Sequence, residues 1–135
     1  MLLEMDDRPL VPDVLFCLAI VQRRLGQRQQ AIKSLVRALK IAVESVPLNP
    51  MRFELPAMAL LLLDAGETER AVELYAAAHQ SQYIANSVWF ETIAGQEIGQ
   101  ASAGLAPALA EAAKARGRAL DLLSTAQALL AELSQ

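Results

Sequence analysis

Apolar residues recur every three or four positions through most of the chain, which is the spacing of one face of an α-helix. In the first third, this pattern predicts a helix from Pro12 to Leu25 and a second helix from Arg28 to a point before Pro47. Gly26 lies between them, where glycine permits a tight reversal. These elements predict a helical hairpin over residues 12–46. The apolar side of its first helix carries Val14, Leu15, Leu18, Ala19, Val21 and Leu25.

The same plan occurs again forty residues later. Four positions of the first hairpin have counterparts at the same internal spacing in the second: Gly26, Ala31, Leu35 and Ala38 correspond to Gly66, Ala71, Tyr75 and Ala78. The spacing predicts a second hairpin over 51–80, with its turn at Gly66, after a short connector that contains Pro47 and Pro50. Repetition at this period is typical of architectures in which helical pairs stack on one another.

After Ser81 the signature is absent, and the apolar pattern predicts three further helices over 87–134. Their expected bounds are 87–98, 105–116 and 122–133. We expect the first helix to fray into 99–104, Gly117 to end the second, and Trp89 to lie in the core. Because a stack of repeats exposes an apolar end, these last helices are expected to form a cap over it.

The repeated signature resembles the second half of a tetratricopeptide repeat. In addition, Leu18-Ala19 and Met58-Ala59 fall where the first helix of that repeat has its leucine and small residue. The resemblance implies an all-α fold in which two helical hairpins and three capping helices form an α-solenoid wound as a right-handed superhelix. It would occupy one domain over 1–135, with 1–11 as an N-terminal segment.

Three longer segments resemble the C-terminal tails of large bacterial multidomain transcriptional regulators and signal-transduction ATPases. They are RALKIAVES at 37–45, LLLLDAGETERAVELYAAAH at 60–79 and AAKARGRALDLLSTAQALLAEL at 112–133. The resemblance implies a regulatory tail separated from the domains that bind nucleotide or DNA in those proteins.

Composition narrows the possible chemistry. Hydrophobic residues make up 54% of the chain and aromatics only 4%, which favours helices built on leucine and alanine. Cys17 is the only cysteine, and we expect it to be a small buried apolar residue. His79 is the only histidine and falls at a predicted helix end. No metal-ligand spacing or glycine-rich phosphate loop is present, so we expect no metal, no cofactor and no enzymatic activity.

The N-terminal sequence lacks the basic region, apolar run and cleavage site of a signal peptide. The longest apolar run, Leu55 to Leu63, is much shorter than the roughly 20 residues needed to span a bilayer. We therefore expect a cytoplasmic protein that does not enter membranes.

Charge is distributed unevenly along the chain. Between Val14 and Val43 there are six basic and no acidic residues, while the rest has six basic and fifteen acidic residues, giving +6 and −9 and a net charge of −3. Lys33, Arg37 and Lys40 share one side of the second helix and form a predicted positive ridge. The ridge is either a solvated face or a docking site for an acidic protein surface. Nucleic acid is disfavoured, because no aromatic residue is interleaved and the pI is about 5.1.

These features predict a non-enzymatic protein-interaction or regulatory module. It would present a groove, lined by the first helix of each hairpin, to a protein, a peptide or another domain of its parent chain. The candidate partner-binding residues are Gln22, Arg23, Lys33, Arg37, Lys40, Arg52 and Asp64. Two alternatives stay open: self-association as a homodimer through the first helix, and small-molecule sensing in a pocket inside the superhelix.

Overall fold

The computed structural model describes residues 11–44, 54–80 and 82–133. These residues are helices and short connections with no strand, which confirms the all-α class. The helices are α1 Val11–Arg24, α2 Arg28–Glu44, α3 Glu54–Asp64, α4 Thr68–Ala78, α5 Gln82–Ala85, α6 (the continuous run Val88–Phe90, Glu91–Gly95 and Gln96–Ala103), α7 Pro107–Ala119 and α8 Leu122–Leu133.

The two predicted reversals are confirmed and share one geometry. Gly26 and Gly66 have φ angles of +77° and +83°, in the left-handed region that glycine enters without steric cost. The amide of the residue after each glycine reaches back to the helix that precedes it. Gln27 donates to the Gln22 carbonyl at 2.8 Å, and Glu67 donates to the Leu62 carbonyl at 2.9 Å. This is the Schellman arrangement, which satisfies carbonyls left open at the end of a helix.

The described helices group into two compact units. The first contains α1, α2 and α8. In this unit α2 lies against both α1 and α8, and its inward side is fully buried at Ala31, Leu35 and Ala38. Alanines at these contacts let helix axes approach closely.

The second unit runs from Leu55 to Asp121. Every residue of α3 from Leu55 to Leu62 is buried, as expected for a helix that is apolar on all sides. Helix α4 lies against both α6 and α7. Ala71 and Ala77 on α4 are fully buried, so α4 is the central element of this unit.

Two predicted helix ends are wrong, both at glycines. The helix expected to fray after Ile98 continues to Ala103, because Gly99 has ordinary helical geometry and is followed by small residues that favour helix. Gly117 lies inside α7 rather than ending it. The helix stops at Leu120, where the backbone becomes extended.

Several expectations about side-chain burial are also wrong. Trp89 is 49% exposed, and its neighbour Phe90 takes the buried position with its ring edge-on to the indole. Cys17 is exposed rather than buried. On α7, Leu109 is 49% exposed, while Ala110 and Ala113 are buried. In each case, a neighbouring residue on the same helix faces the core.

Candidate functional site

The solvent side of α1 is apolar. Val14, Leu18, Val21 and Leu25 expose 46%, 43%, 53% and 66% of their surface. They follow one another at intervals of four, three and four residues, so they form a single stripe along the helix and its C-terminal turn. We call these four residues the outer stripe. The sequence pattern placed these four residues on one side of the helix with Leu15 and Ala19. Of the six, only Leu15 and Ala19 are buried. Phe16 and Ile20 are buried as well, on the side opposite the outer stripe.

The predicted positive ridge lies on α2. Lys33, Arg37 and Lys40 are all exposed, on the side of the helix opposite the buried Ala31 and Leu35. None of the three cations forms an ion pair within the described residues. Their positive charge therefore faces solvent.

The remaining candidate partner-binding residues lie in different surroundings. Gln22 is half-buried, and its Oε1 accepts a 2.8 Å hydrogen bond from the hydroxyl of the buried Ser34, so it links α1 to α2. Arg23 is half-buried on α1, while Asp64 is exposed at the end of α3. Arg52 lies outside the described residues. Gln22 and Arg23 thus share a unit with the ridge, and Asp64 belongs to the other unit.

A cavity of about 310 Å³ lies within the second unit, between α4, α6 and α7. Its wall combines apolar side chains with five charged or titratable groups. The lining residues are Val72, Tyr75, Ala76, His79, Glu91, Gly95, Ile98, Gly99, Ser102, Lys114 and Arg118. Sequence reasoning did not single out this site. On each helix the lining residues lie on one side, but nothing in the sequence indicates that these sides meet.

Tyr75 has an unsatisfied hydroxyl in this wall. The residue is only 4% exposed, and its phenolic oxygen has no hydrogen-bond partner. Burial, together with the negative charge of Glu91, raises the pKa of Tyr75 to about 12, so the hydroxyl is a protonated donor at neutral pH. Its ring lies edge-on to that of His79, with the ring centres 4.6 Å apart.

A π-helical turn positions Glu91. Residues Glu91–Gly95 form this turn within α6, and the amide of Gln96 donates to the Glu91 carbonyl. Gly95 faces the Glu91 carboxylate and the Tyr75 hydroxyl so closely that a Cβ atom there would collide with both. Wider turns of this kind are rare and occur frequently at functional sites.

Glu91 and Arg118 both act on His79. Burial lowers the pKa of His79, Glu91 acts to raise it, and Arg118 lowers it further. The carboxylate and the guanidinium therefore both lie near the imidazole, yet neither forms an ion pair within the described part of the chain. Lys114 lies one turn before Arg118 on α7, with its Nζ 3.6 Å from a carboxylate oxygen of Glu111.

Three contacts hold α7 against α4 beside the cavity. The backbone of Gly117 lies against the Glu73 carbonyl and the Ala76 side chain. Gln80 donates from Nε2 to the carbonyls of Gly117 and Leu120 at 3.1 and 2.9 Å, capping the end of α7. The Arg116 Nε donates to Glu73 Oε1 at 3.2 Å. These contacts fix the positions of Lys114 and Arg118 relative to α4.

Within the described ranges, no three His, Cys, Asp or Glu side chains converge in a way that could hold a metal ion. Each helix in these ranges is too short or too polar to cross a bilayer.

Comparison with known proteins gives no relative. No family model, curated protein or solved structure matches the chain.

Proposed function

We propose that this chain is a non-enzymatic protein-interaction module that binds a partner protein through the outer stripe of α1. One observation carries the proposal: the helix is apolar on both sides, with Phe16 and Ile20 buried inward and Leu18 and Val21 exposed outward. A helix that is apolar all round is normally covered on all sides. A continuous apolar stripe in water is typical of a surface that a partner covers.

The charge around the stripe indicates the kind of partner. Arg24 and Arg28 are exposed at its C-terminal end, and the positive ridge adds three further exposed cations in the same unit. The partner that fits is an amphipathic helix with an apolar seam and acidic flanks. Opposite charges at the rim of such an interface increase the association rate and make binding sensitive to salt.

The regulatory context rests on the resemblances in the sequence. The module would be the C-terminal repeat tail of a bacterial signalling or transcription-regulatory protein, arranged as a tetratricopeptide-like solenoid with right-handed winding. The matching Schellman turns at Gly26 and Gly66, forty residues apart, support a repeated hairpin unit. The partner is then another protein of the same signalling system or another domain of the parent chain.

The test is affinity capture with matched variants. Leu18→Asp/Val21→Asp places two charges on the outer stripe. Val88→Asp/Leu109→Asp is the control. Val88 and Leu109 are also apolar, lie elsewhere on the surface, and are 81% and 49% exposed. We expect a partner that the wild-type and control proteins retain, that the stripe variant loses, and that elutes as salt is raised. Equal retention by the stripe variant and the control would contradict the proposal.

Self-association is a second candidate, favoured by the spacing of the stripe. The intervals of four, three and four residues are the same in both directions along the helix. In an antiparallel contact between two copies, Val14 would therefore lie opposite Leu25, and Leu18 opposite Val21. Such self-complementarity is what a two-fold interface requires.

Sedimentation velocity across a wide concentration range separates the two candidates. A dimer that persists in the control and dissociates in the Leu18→Asp/Val21→Asp variant would assign the stripe to a second copy. A wild-type protein that stays monomeric at every concentration would exclude self-association and leave the stripe to a different partner.

A further inference from the structure

The cavity of the second unit has the charge pattern of a receptor for a small zwitterion. Glu91 places a carboxylate in the wall, while Arg118 and Lys114 place cations there. A simple anion would meet the repulsion of Glu91, and a simple cation would meet that of Arg118 and Lys114. A molecule carrying one positive and one negative group can satisfy both sides.

Glu91 and Arg118 carry opposite charges in the same wall but do not form an ion pair with each other. Both lie close enough to His79 to act on its titration, yet no ion pair joins them. Opposite charges in one wall that do not contact each other leave room for a ligand whose own charges lie between them. Lys114 is shared with Glu111, so Arg118 is the principal cation available to the cavity.

The Tyr75 hydroxyl provides an independent indication of a ligand. Buried polar atoms are nearly always hydrogen-bonded, and an unsatisfied one costs stability. Tyr75 lines the cavity, and its hydroxyl lies beside it, closed off from solvent and with no partner of its own. A ligand oxygen that accepted its hydrogen would remove that cost.

Part of the remaining wall is apolar and fits an aliphatic group. Val72, Ala76 and Ile98 contribute hydrocarbon surface. The volume of about 310 Å³ lies at the lower end of the range for small-molecule sites. Such a volume suits a metabolite rather than a nucleotide.

We propose that this cavity binds a free amino acid with an aliphatic side chain. Its ammonium group would bind Glu91, its carboxylate would bind Arg118 and accept from the Tyr75 hydroxyl, and its side chain would contact Val72 and Ile98. The site lies wholly within the second unit and does not depend on the proposed function of the outer stripe.

The first test compares three nearly isosteric ligands by NMR titration of the full chain. L-Leucine carries both charges, 4-methylpentanoate lacks the ammonium group, and 3-methylbutylamine lacks the carboxylate. We expect saturable binding of L-leucine and at least about tenfold weaker binding of each analogue, since each loses a charged hydrogen bond. Absence of saturable L-leucine and L-valine binding at millimolar concentration would overturn the proposal. So would equal affinity for the three ligands.

Variants assign the two charges. Glu91→Gln should weaken L-leucine binding while sparing 4-methylpentanoate, and Arg118→Gln should do the same for L-leucine while sparing 3-methylbutylamine. Glu44→Gln and Arg37→Gln are matched controls on the exposed surface of the first unit. A uniform loss for all ligands, or none, in the two cavity variants would contradict the assigned orientation.

Tyr75→Phe separates a ligand-binding role from a structural one. The substitution removes only the unsatisfied hydroxyl, so we expect the variant to melt no lower than the wild type and to bind L-leucine more weakly. Unchanged binding would show that the hydroxyl does not contact the ligand. The Leu18→Asp/Val21→Asp variant should bind L-leucine normally, so failure of the stripe proposal and failure of this one are distinguishable.

Discussion

Gly117 lies against the backbone carbonyl of Glu73 so closely that no side chain larger than hydrogen fits between α7 and α4. Gly117 therefore serves as a contact point between two helices rather than as the end of one. The nearby Gln80 and Arg116 bonds reinforce the same contact. Loss of the close approach would move α7, and with it the cavity wall that α7 provides.

We expect Gly117→Ala to destabilise the protein by about 1–3 kcal/mol, because the added methyl group overpacks the contact with Glu73 and Ala76. Gly99→Ala is the control: Gly99 is also helical, but a Cβ atom there would meet nothing within 4 Å. That substitution should be neutral or raise stability by up to about 1 kcal/mol. Urea unfolding measures both, and equal effects of the two substitutions would refute the packing role of Gly117.

The hydrogen bond from Ser34 to Gln22 should contribute about 1 kcal/mol to stability. Gln22→Ala leaves the hydroxyl of Ser34, which is only 6% exposed, without its partner. Gln29→Ala, at an exposed position on α2, should have little effect. A double-mutant cycle with Ser34→Ala gives the coupling between the two side chains. Zero coupling would show that the bond adds nothing to the hairpin.

The turn glycines should tolerate asparagine better than alanine. Nothing lies within 4 Å of a Cβ atom at Gly26 or Gly66, so the only cost of substitution is the positive φ angle. Gly66→Ala should lose about 1–2 kcal/mol, and Gly66→Asn should lose less. Thermal unfolding of the two variants tests this, and the same order is expected at Gly26. Equal losses would indicate that the turn relaxes to another conformation.

His79 should make the protein less stable in mild acid. Because its pKa in the folded protein lies below the ordinary value near 6.5, the unfolded chain binds protons more readily as the pH falls through that value. Well above its ordinary pKa, His79 therefore has no effect on the free energy of unfolding. Below that value it lowers the free energy of unfolding progressively, until the pH reaches the pKa of the folded state. We expect the free energy of unfolding of the wild type, relative to that of His79→Gln, to decrease as the pH falls from 7.5 to 5.5 in denaturation measurements. A difference that stays constant would exclude the shift.

The spacing of apolar residues did not predict which side of α1 is buried. Apolar residues on this helix occupy nearly every position from Val14 to Val21, so the sequence offers two possible buried sides. The structure buries the side with Phe16 and Ile20, and Cys17 and Leu18 face outward. Periodicity cannot choose between two apolar sides, since the choice depends on the shape of the helices packed against them.

The cavity depends still more on tertiary structure. His79 follows α4, Glu91 lies on α6 and Arg118 lies on α7. The first and last of these are thirty-nine positions apart, and no local pattern relates the three. Gly95 lies close to the Glu91 carboxylate and the Tyr75 hydroxyl, and Gly99 lines the cavity.

The sequence by itself determined the helical class and the two reversals at Gly26 and Gly66. Helix propensity, proline and glycine act through the backbone of a few neighbouring residues, so their effects can be predicted locally. Only the tertiary structure decided that Gly117 is a packing contact, that Leu18 is exposed, and that Tyr75 lines a cavity with an unsatisfied hydroxyl. These properties follow from close packing between helices distant in sequence, where each side chain is placed by neighbours that no local pattern identifies.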